Sequence, residues 1–130
     1  MGDMLPVNDG TVLARNLSAL LQDHKGKDVA VLDLREFNSW TDFFVITTVS
    51  SQTHLMGLLR HIKEFCRDGE IEIFGGMGKI AAENEWTVID LGTVVVHLMT
   101  EKARSFYELE RLWSTGRTSI HHPESETQKE

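Results

Sequence analysis

The sequence predicts an α/β fold, a mixed sheet of about five strands with helices packed on it. Three observations carry this. Runs rich in β-branched and aromatic residues recur along the chain, and leucine stripes at helical spacing separate them. Their order reads α-β-β-α-β-β-β-α, an interleaving that buries one face of each helix on a sheet. The third is Trp86-Thr-Val-Ile-Asp90-Leu-Gly92-Thr-Val-Val-Val-His97-Leu-Met99, two period-two runs joined by Gly92-Thr93. Glycine at the first central position suits a two-residue hairpin turn.

The elements follow in order. Residues 1–10 form a lead-in, with Asn8 or Asp9 able to cap a helix. Leu13, Leu17, Leu20 and Leu21 then lie on one helical face, and Lys25-Gly26 closes the helix. Asp28-Val-Ala-Val-Leu-Asp-Leu is a strand apolar on both sides, as expected near a sheet centre. Arg35-Glu-Phe-Asn-Ser39 turns the chain into a second strand, Asp42–Val49. Ser50-Ser51 offers an N-cap, Leu55, Leu58, Leu59, Ile62 and Phe65 make the next buried stripe, and Gly69 is a natural stop. Ile71 and Ile73 mark a short strand, so that residues 42–73 form a strand–helix–strand unit. Residues 75–85 read as a glycine-rich loop. After the hairpin, Thr100 caps a helix on which Phe106, Leu109, Leu112 and Trp113 lie on adjoining faces. From Ser114 no apolar period survives. One domain over residues 1–113 and a polar, unstructured tail over 114–130 are therefore expected.

The hairpin register has a chemical consequence. A two-residue turn sets Leu91 opposite Val94, Ile89 opposite Val96 and Thr87 opposite Leu98, an apolar face for burial. The other face pairs Asp90 with Val95, Val88 with His97 and Trp86 with Met99. A solvated face has no need of Trp86 and Met99, so this side is expected to dock a partner. The bland alternative is that Trp86 is core.

Charge narrows the partner. Twenty acids against thirteen bases give a net charge of −7, with the bases scattered singly. That composition opposes phosphate-backbone binding and favours a basic protein surface, with little direct RNA binding. No apolar run approaches the ~20 residues of a membrane span. The start lacks the basic and apolar regions of a signal peptide, and the single cysteine, Cys66, fits a reducing, cytoplasmic setting.

Several catalytic patterns are approached and missed. Asp33, Asp42 and Asp90 could hold a divalent metal for nucleotidyl transfer, which makes a metal-dependent nucleotidyltransferase-like enzyme the alternative function. The position two after Asp33, where a second ligand belongs, is however Arg35. Gly75-Gly-Met-Gly-Lys79 lacks the phosphate-loop spacing and its Ser/Thr. Ser50 and Ser51 lack a nucleophile frame and are explained by capping. His97 and Asp90 are diagonal neighbours ~7–8 Å apart, too far for a dyad. His121-His122 sits in the polar tail.

Four blocks carry a family resemblance: Asp28-x-x-x-Leu32-Asp33; Ser39-x-Thr41-Asp42-x-Phe44-Val45-Ile46; Trp86-x-x-x-Asp90-x-Gly92-x-Val94-x-Val96-His97; and Arg104-x-x-Tyr107-x-Leu109-Glu110-x-Leu112-Trp113. In this order, over about residues 11–113, the chain resembles the Iojap family, the ribosomal silencing factors. The resemblance implies an α/β fold like that of nucleotidyltransferases without their catalytic acids, no enzymatic activity and no cofactor. It also implies binding to large-subunit ribosomal protein fourteen, so that the small subunit cannot join and translation is repressed. The implied docking surface takes in Trp86, Asp90, Leu91 and Gly92, with Leu91 at the turn's exposed tip; the alternation adds His97 and Met99. Lys79-Ile80, Val49 and Thr53 depart from the family pattern. A homodimer of the free protein through the same exposed face is a further expectation.

Overall fold

The computed structural model describes residues 10–36, 41–79, 85–108 and 117–120. The elements are α1 (Gly10–Asp23), β1 (Lys27–Asp33), β2 (Phe43–Val49), α2 (Gln52–Gly69), β3 (Phe74–Lys79), β4 (Trp86–Asp90), β5 (Val94–Thr100), α3 (Glu101–Tyr107) and β6 (Arg117–Ile120). The strands form one sheet in the order β3-β4-β5-β2-β1-β6. β2 and β5 pair in parallel at its middle, and the other neighbours are antiparallel. The α/β class and mixed sheet are as the sequence predicts. A strand–helix–strand unit forms from β2, α2 and β3, but its second strand lies beyond the expected Ile71–Ile73, and α2 carries the chain past β5 and β4 before β3 joins the sheet.

Both faces of the sheet are buried, and alternation sorts the side chains. Val31, Val45, Ile89, Val96 and Leu98 face Leu13, Leu17 and Leu21 of α1 and Leu55, Leu58 and Ile62 of α2. Leu32, Phe44, Ile46, Trp86, Val95 and Met99 form a second, smaller core on the opposite face, closed by Ala103 of α3. β2 feeds both cores and is buried along its whole length.

Helix ends follow capping chemistry. Ser51 Oγ accepts from the His54 backbone N–H at 3.0 Å, and Thr100 Oγ1 accepts from that of Ala103 at 3.1 Å. At the far end of α2 the left-handed residue is Glu70 (φ 58°), not Gly69. The next residue decides this. Ile71 is buried and its N–H donates to the Cys66 carbonyl at 2.8 Å, so the reversal falls on Glu70. α1 ends at Asp23, Lys25 (φ 70°) then turns left-handed, and Gly26 N–H donates to the Leu21 carbonyl at 2.7 Å.

Four expectations are corrected. The sheet has six strands rather than about five, because Arg117–Ile120 pairs with β1 inside the segment expected to be an unstructured tail. Backbone hydrogen bonds supply that pairing and need no apolar period. β3 spans Phe74–Lys79 rather than Ile71–Ile73, within the segment expected to be loop. Its glycines hide the alternation, and a bulge between Phe74 and Met77, with Gly75 at φ 65°, breaks the period. α3 stops at Tyr107, where Glu108 turns left-handed (φ 48°), short of the Leu109, Leu112 and Trp113 expected on it, and Phe106 is exposed. Asn8, Asp9, Ser39, Ile80, Leu109, Glu110, Leu112, Trp113 and His121-His122 lie outside the described residues.

Two glycines give opposite outcomes for one substitution. A Cβ on Gly26 would stand 2.5 Å from Thr47 Oγ1 and 2.9 Å from the Leu21 carbonyl oxygen, whereas one on Gly57, inside α2, would meet nothing within 4 Å. Gly26→Ala is expected to lower stability by about 1–3 kcal/mol through overpacking. Gly57→Ala is expected to raise it by about 0.5–1 kcal/mol through helix propensity. Urea unfolding of the two variants checks both signs.

Candidate functional site

The hairpin has the register that alternation predicts: Trp86 pairs with Met99, Thr87 with Leu98, Val88 with His97, Ile89 with Val96 and Asp90 with Val95. Leu91 N–H donates to the Val94 carbonyl at 2.9 Å and closes the turn. Asp90 Oδ1 accepts from the Gly92 N–H at 2.8 Å, a side-chain bond that rigidifies the tip. Gly92 has φ 89°, and a Cβ there would stand 3.0 Å from the Phe74 ring. Conformation and close approach both call for glycine.

The expectation that the Trp86 face stands open is corrected. Trp86 is 8%, His97 4% and Met99 0% exposed, all in the second core. The cause is α3, which follows β5 directly. Ala103 packs into that core and the Tyr107 ring lies 4.8 Å from that of Trp86. Alternation shows which residues share a face; it does not show whether the next helix covers it. Leu91 is not an exposed tip residue either. It belongs to the first core at 5% exposure. Asp90 and Gly92 are the half-exposed members of the predicted set.

Inside the second core Trp86 Nε1–H donates to His97 Nδ1 at 3.0 Å, and the Phe44 ring meets the imidazole edge-on with centroids 4.4 Å apart. With Nδ1 accepting, the imidazole proton resides on Nε2, which is buried without a partner among the described residues. Burial lowers the His97 pKa to about 3, so the ring is neutral at physiological pH. His97 therefore bonds to the indole and makes no dyad with Asp90, whose carboxylate holds the turn.

The three strand-associated acids do separate work. Asp33 is bound by the Arg35 guanidinium through Nε–Oδ1 at 2.9 Å and Nη2–Oδ2 at 2.6 Å. That bond holds the Arg35 pKa above its ordinary value. Asp42 sits where the backbone crosses to the hairpin, its N–H donating to the Thr93 carbonyl at 2.9 Å. Asp90 caps the turn. Among the described residues no group of three or more His, Cys, Asp or Glu side chains is placed to hold a metal ion. Cys66 is buried and its thiol pKa is pushed up by that burial, away from a reactive thiolate.

Sequence reasoning missed the exposed rings. Phe74 is 45%, Phe106 77% and Tyr107 39% exposed. Phe74 lies over the turn, and Phe106 meets Tyr107 edge-on at 4.9 Å. The helical pattern names Phe106 and the resemblance includes Tyr107, but neither marks a ring as exposed. Phe74 thus stands beside the half-exposed Asp90 and Gly92 at the tip, and Phe106 and Tyr107 beside Trp86.

Comparison with known proteins gives the chain a family. A sequence model described as "Ribosomal silencing factor during starvation" matches residues 8–130. The chain is 35% identical over 102 residues to the ribosomal silencing factor RsfS of Haemophilus influenzae, across 78% of this chain and 98% of that protein. It is 33% identical over 104 residues to "Mitochondrial assembly of ribosomal large subunit protein 1" of Mus musculus, across 75% of this chain and 43% of that one. A crystal structure of a Chromobacterium violaceum protein superposes with a TM-score of 0.68 at 28% identity, covering 84% of this chain and 89% of that chain. The chain belongs to the ribosomal silencing factor family.

The buried imidazole makes stability depend on pH. Its folded pKa of about 3 lies below the ordinary 6.5, so between those values the unfolded chain binds more protons than the folded one. Stability therefore falls as pH falls through that window. From pH 7 to pH 5 His97 is expected to remove about 2 kcal/mol. His97→Gln keeps an acceptor for Trp86 Nε1 and does not titrate there. Urea unfolding at both pH values should show a smaller difference for the variant than for wild type.

Proposed function

We propose that this protein acts as a ribosomal silencing factor: it binds the large ribosomal subunit through its protein fourteen, sterically blocks the small subunit from joining, and so represses translation. The observation that carries this is the family match over residues 8–130, which includes the Trp86-x-x-x-Asp90-Leu91-Gly92 hairpin. The name of the mouse relative, with its reference to the large subunit, agrees in direction. The mechanism is occupancy and uses no catalytic step and no cofactor. A protein of 130 residues offers the roughly 800 Å² per partner of a standard interface, and its bulk would exclude the other subunit. The setting is cytoplasmic; among the described residues no helix is long and apolar enough to cross a membrane.

The hairpin's role divides by burial. Asp90 and Gly92, at the tip, are the contacting members. Trp86, His97 and Met99 brace the hairpin from the α3 side, and Leu91 braces it from the α1 and α2 side. Trp86→Ala is thus a poor probe of docking, because truncating a buried tryptophan costs about 3–5 kcal/mol of stability. The −7 charge fits a basic protein surface and leaves little attraction for RNA. The exposed rings Phe74, Phe106 and Tyr107 would also serve self-association when the protein is free, and such a homodimer would compete with the ribosome.

Gradient sedimentation with separated subunits tests the proposal. The protein is expected to travel with large subunits only and, when added first, to lower the yield of joined particles. Asp90→Lys should bind about tenfold more weakly, with slower association. Sedimentation with small subunits or free RNA, or tighter binding by Asp90→Lys, would overturn it.

A further inference from the structure

Beside the hairpin tip lies a cavity of about 320 Å³ whose lining includes Glu70, Ile71, Glu72, Phe74, Leu91 and Gly92. Its floor is apolar, since Ile71 and Leu91 belong to the first core. Its aromatic wall is the Phe74 ring, 45% exposed, which lies against the turn 3.0 Å from where a Cβ on Gly92 would stand. Its rim carries two exposed carboxylates, and neither Glu70 nor Glu72 has an ion-pair partner among the described residues. Arg67, in the last turn of α2, pairs with Asp68 at 3.6 Å instead. The cavity also stands at the C-terminal end of α2, an 18-residue helix whose terminal carbonyls carry partial negative charge. Capping holds the Glu70 backbone in place, with its N–H on the Arg67 carbonyl at 3.2 Å.

We propose that this cavity receives one basic side chain, an arginine, from the protein partner docked at the hairpin. This rests on the function proposed above and adds the residue class that the partner must present. An arginine stem would lie on Ile71 and Leu91. Its planar guanidinium would stack on Phe74 while donating to Glu70 and Glu72, a match that the point charge of lysine makes less well. Phosphate is the wrong ligand here, because two carboxylates and a helix C-terminus repel it.

Affinity for isolated large subunits, measured by co-sedimentation of the full chain, tests the inference. Glu70→Gln with Glu72→Gln is expected to weaken binding about tenfold, and reversal of both to lysine more. Phe74→Leu, which keeps apolar volume and removes the aromatic face, should weaken it several-fold. All three positions are exposed, so urea midpoints should stay close to wild type, and Glu72→Gln alone serves if the double variant does not. Wild type that binds, with every neutral variant within twofold of it, overturns the arginine pocket and leaves the silencing proposal standing. Tighter binding by the lysine reversal also overturns the pocket and points to RNA phosphate. Wild type that does not sediment with large subunits overturns the proposed function, and the pocket with it.

Discussion

The parallel pairing of β2 with β5 is the constraint on which the other elements depend. It aligns seven consecutive residues, from Phe43 with Val94 to Val49 with Thr100, and both strands are buried on both faces. Parallel neighbours need a long connection between them, and α2, β3 and β4 supply it. Burial on both faces then requires cover on both, which α1 and α2 give to one side and α3 to the other. The hairpin inherits its place from this arrangement. β5 is its second strand, so its tip lies at the end of β2 where Asp42 and Phe43 bond to the Thr93 carbonyl.

The site's charge and its apolar surface have different origins. Asp33, the most buried acid among the described residues, is neutralised by Arg35. Asp90 is tied to the turn that it shapes. Glu70 ends α2 through its backbone, but neither its carboxylate nor that of Glu72 makes an ion pair among the described residues, and both line a cavity with the exposed Phe74 ring. A protein of net charge −7 already carries self-repulsion, and two carboxylates on one cavity rim, without an ion pair among the described residues, add to it. A cationic partner would relieve that repulsion on docking.

Much of the fold was legible in the residues because it rests on local pattern. The hairpin register follows from period two and one glycine turn, and every predicted pair from Trp86 with Met99 to Asp90 with Val95 is present. The caps at Ser51 and Thr100 follow from hydroxyl chemistry. What was not legible depends on neighbours distant in sequence. β3 and β6 are held by backbone pairing to β4 and β1, which leaves no mark on hydrophobic period. The burial of Trp86, His97 and Met99 depends on where a seven-residue helix comes to rest. Phe74 could not be ranked as a surface feature before the bulge at Gly75 was known. The hairpin's register was thus legible, whereas the burial of most of its singled-out side chains and the exposure of Phe74 beside its tip were not.

The unequal cover of the two faces has a consequence for how the molecule breathes. The first core is sealed by helices of 14 and 18 residues, whereas α3 has seven residues and contributes a single fully enclosed side chain, Ala103. Units with few enclosed contacts open without the rest of the fold, so α3 should detach as its own cooperative unit well below the free energy of global unfolding. Amide protons of α3 would then exchange with solvent early, while those of β2 and β5 persist. Each such opening would bare Trp86, Phe44 and Met99 for an instant and leave the six-stranded framework intact.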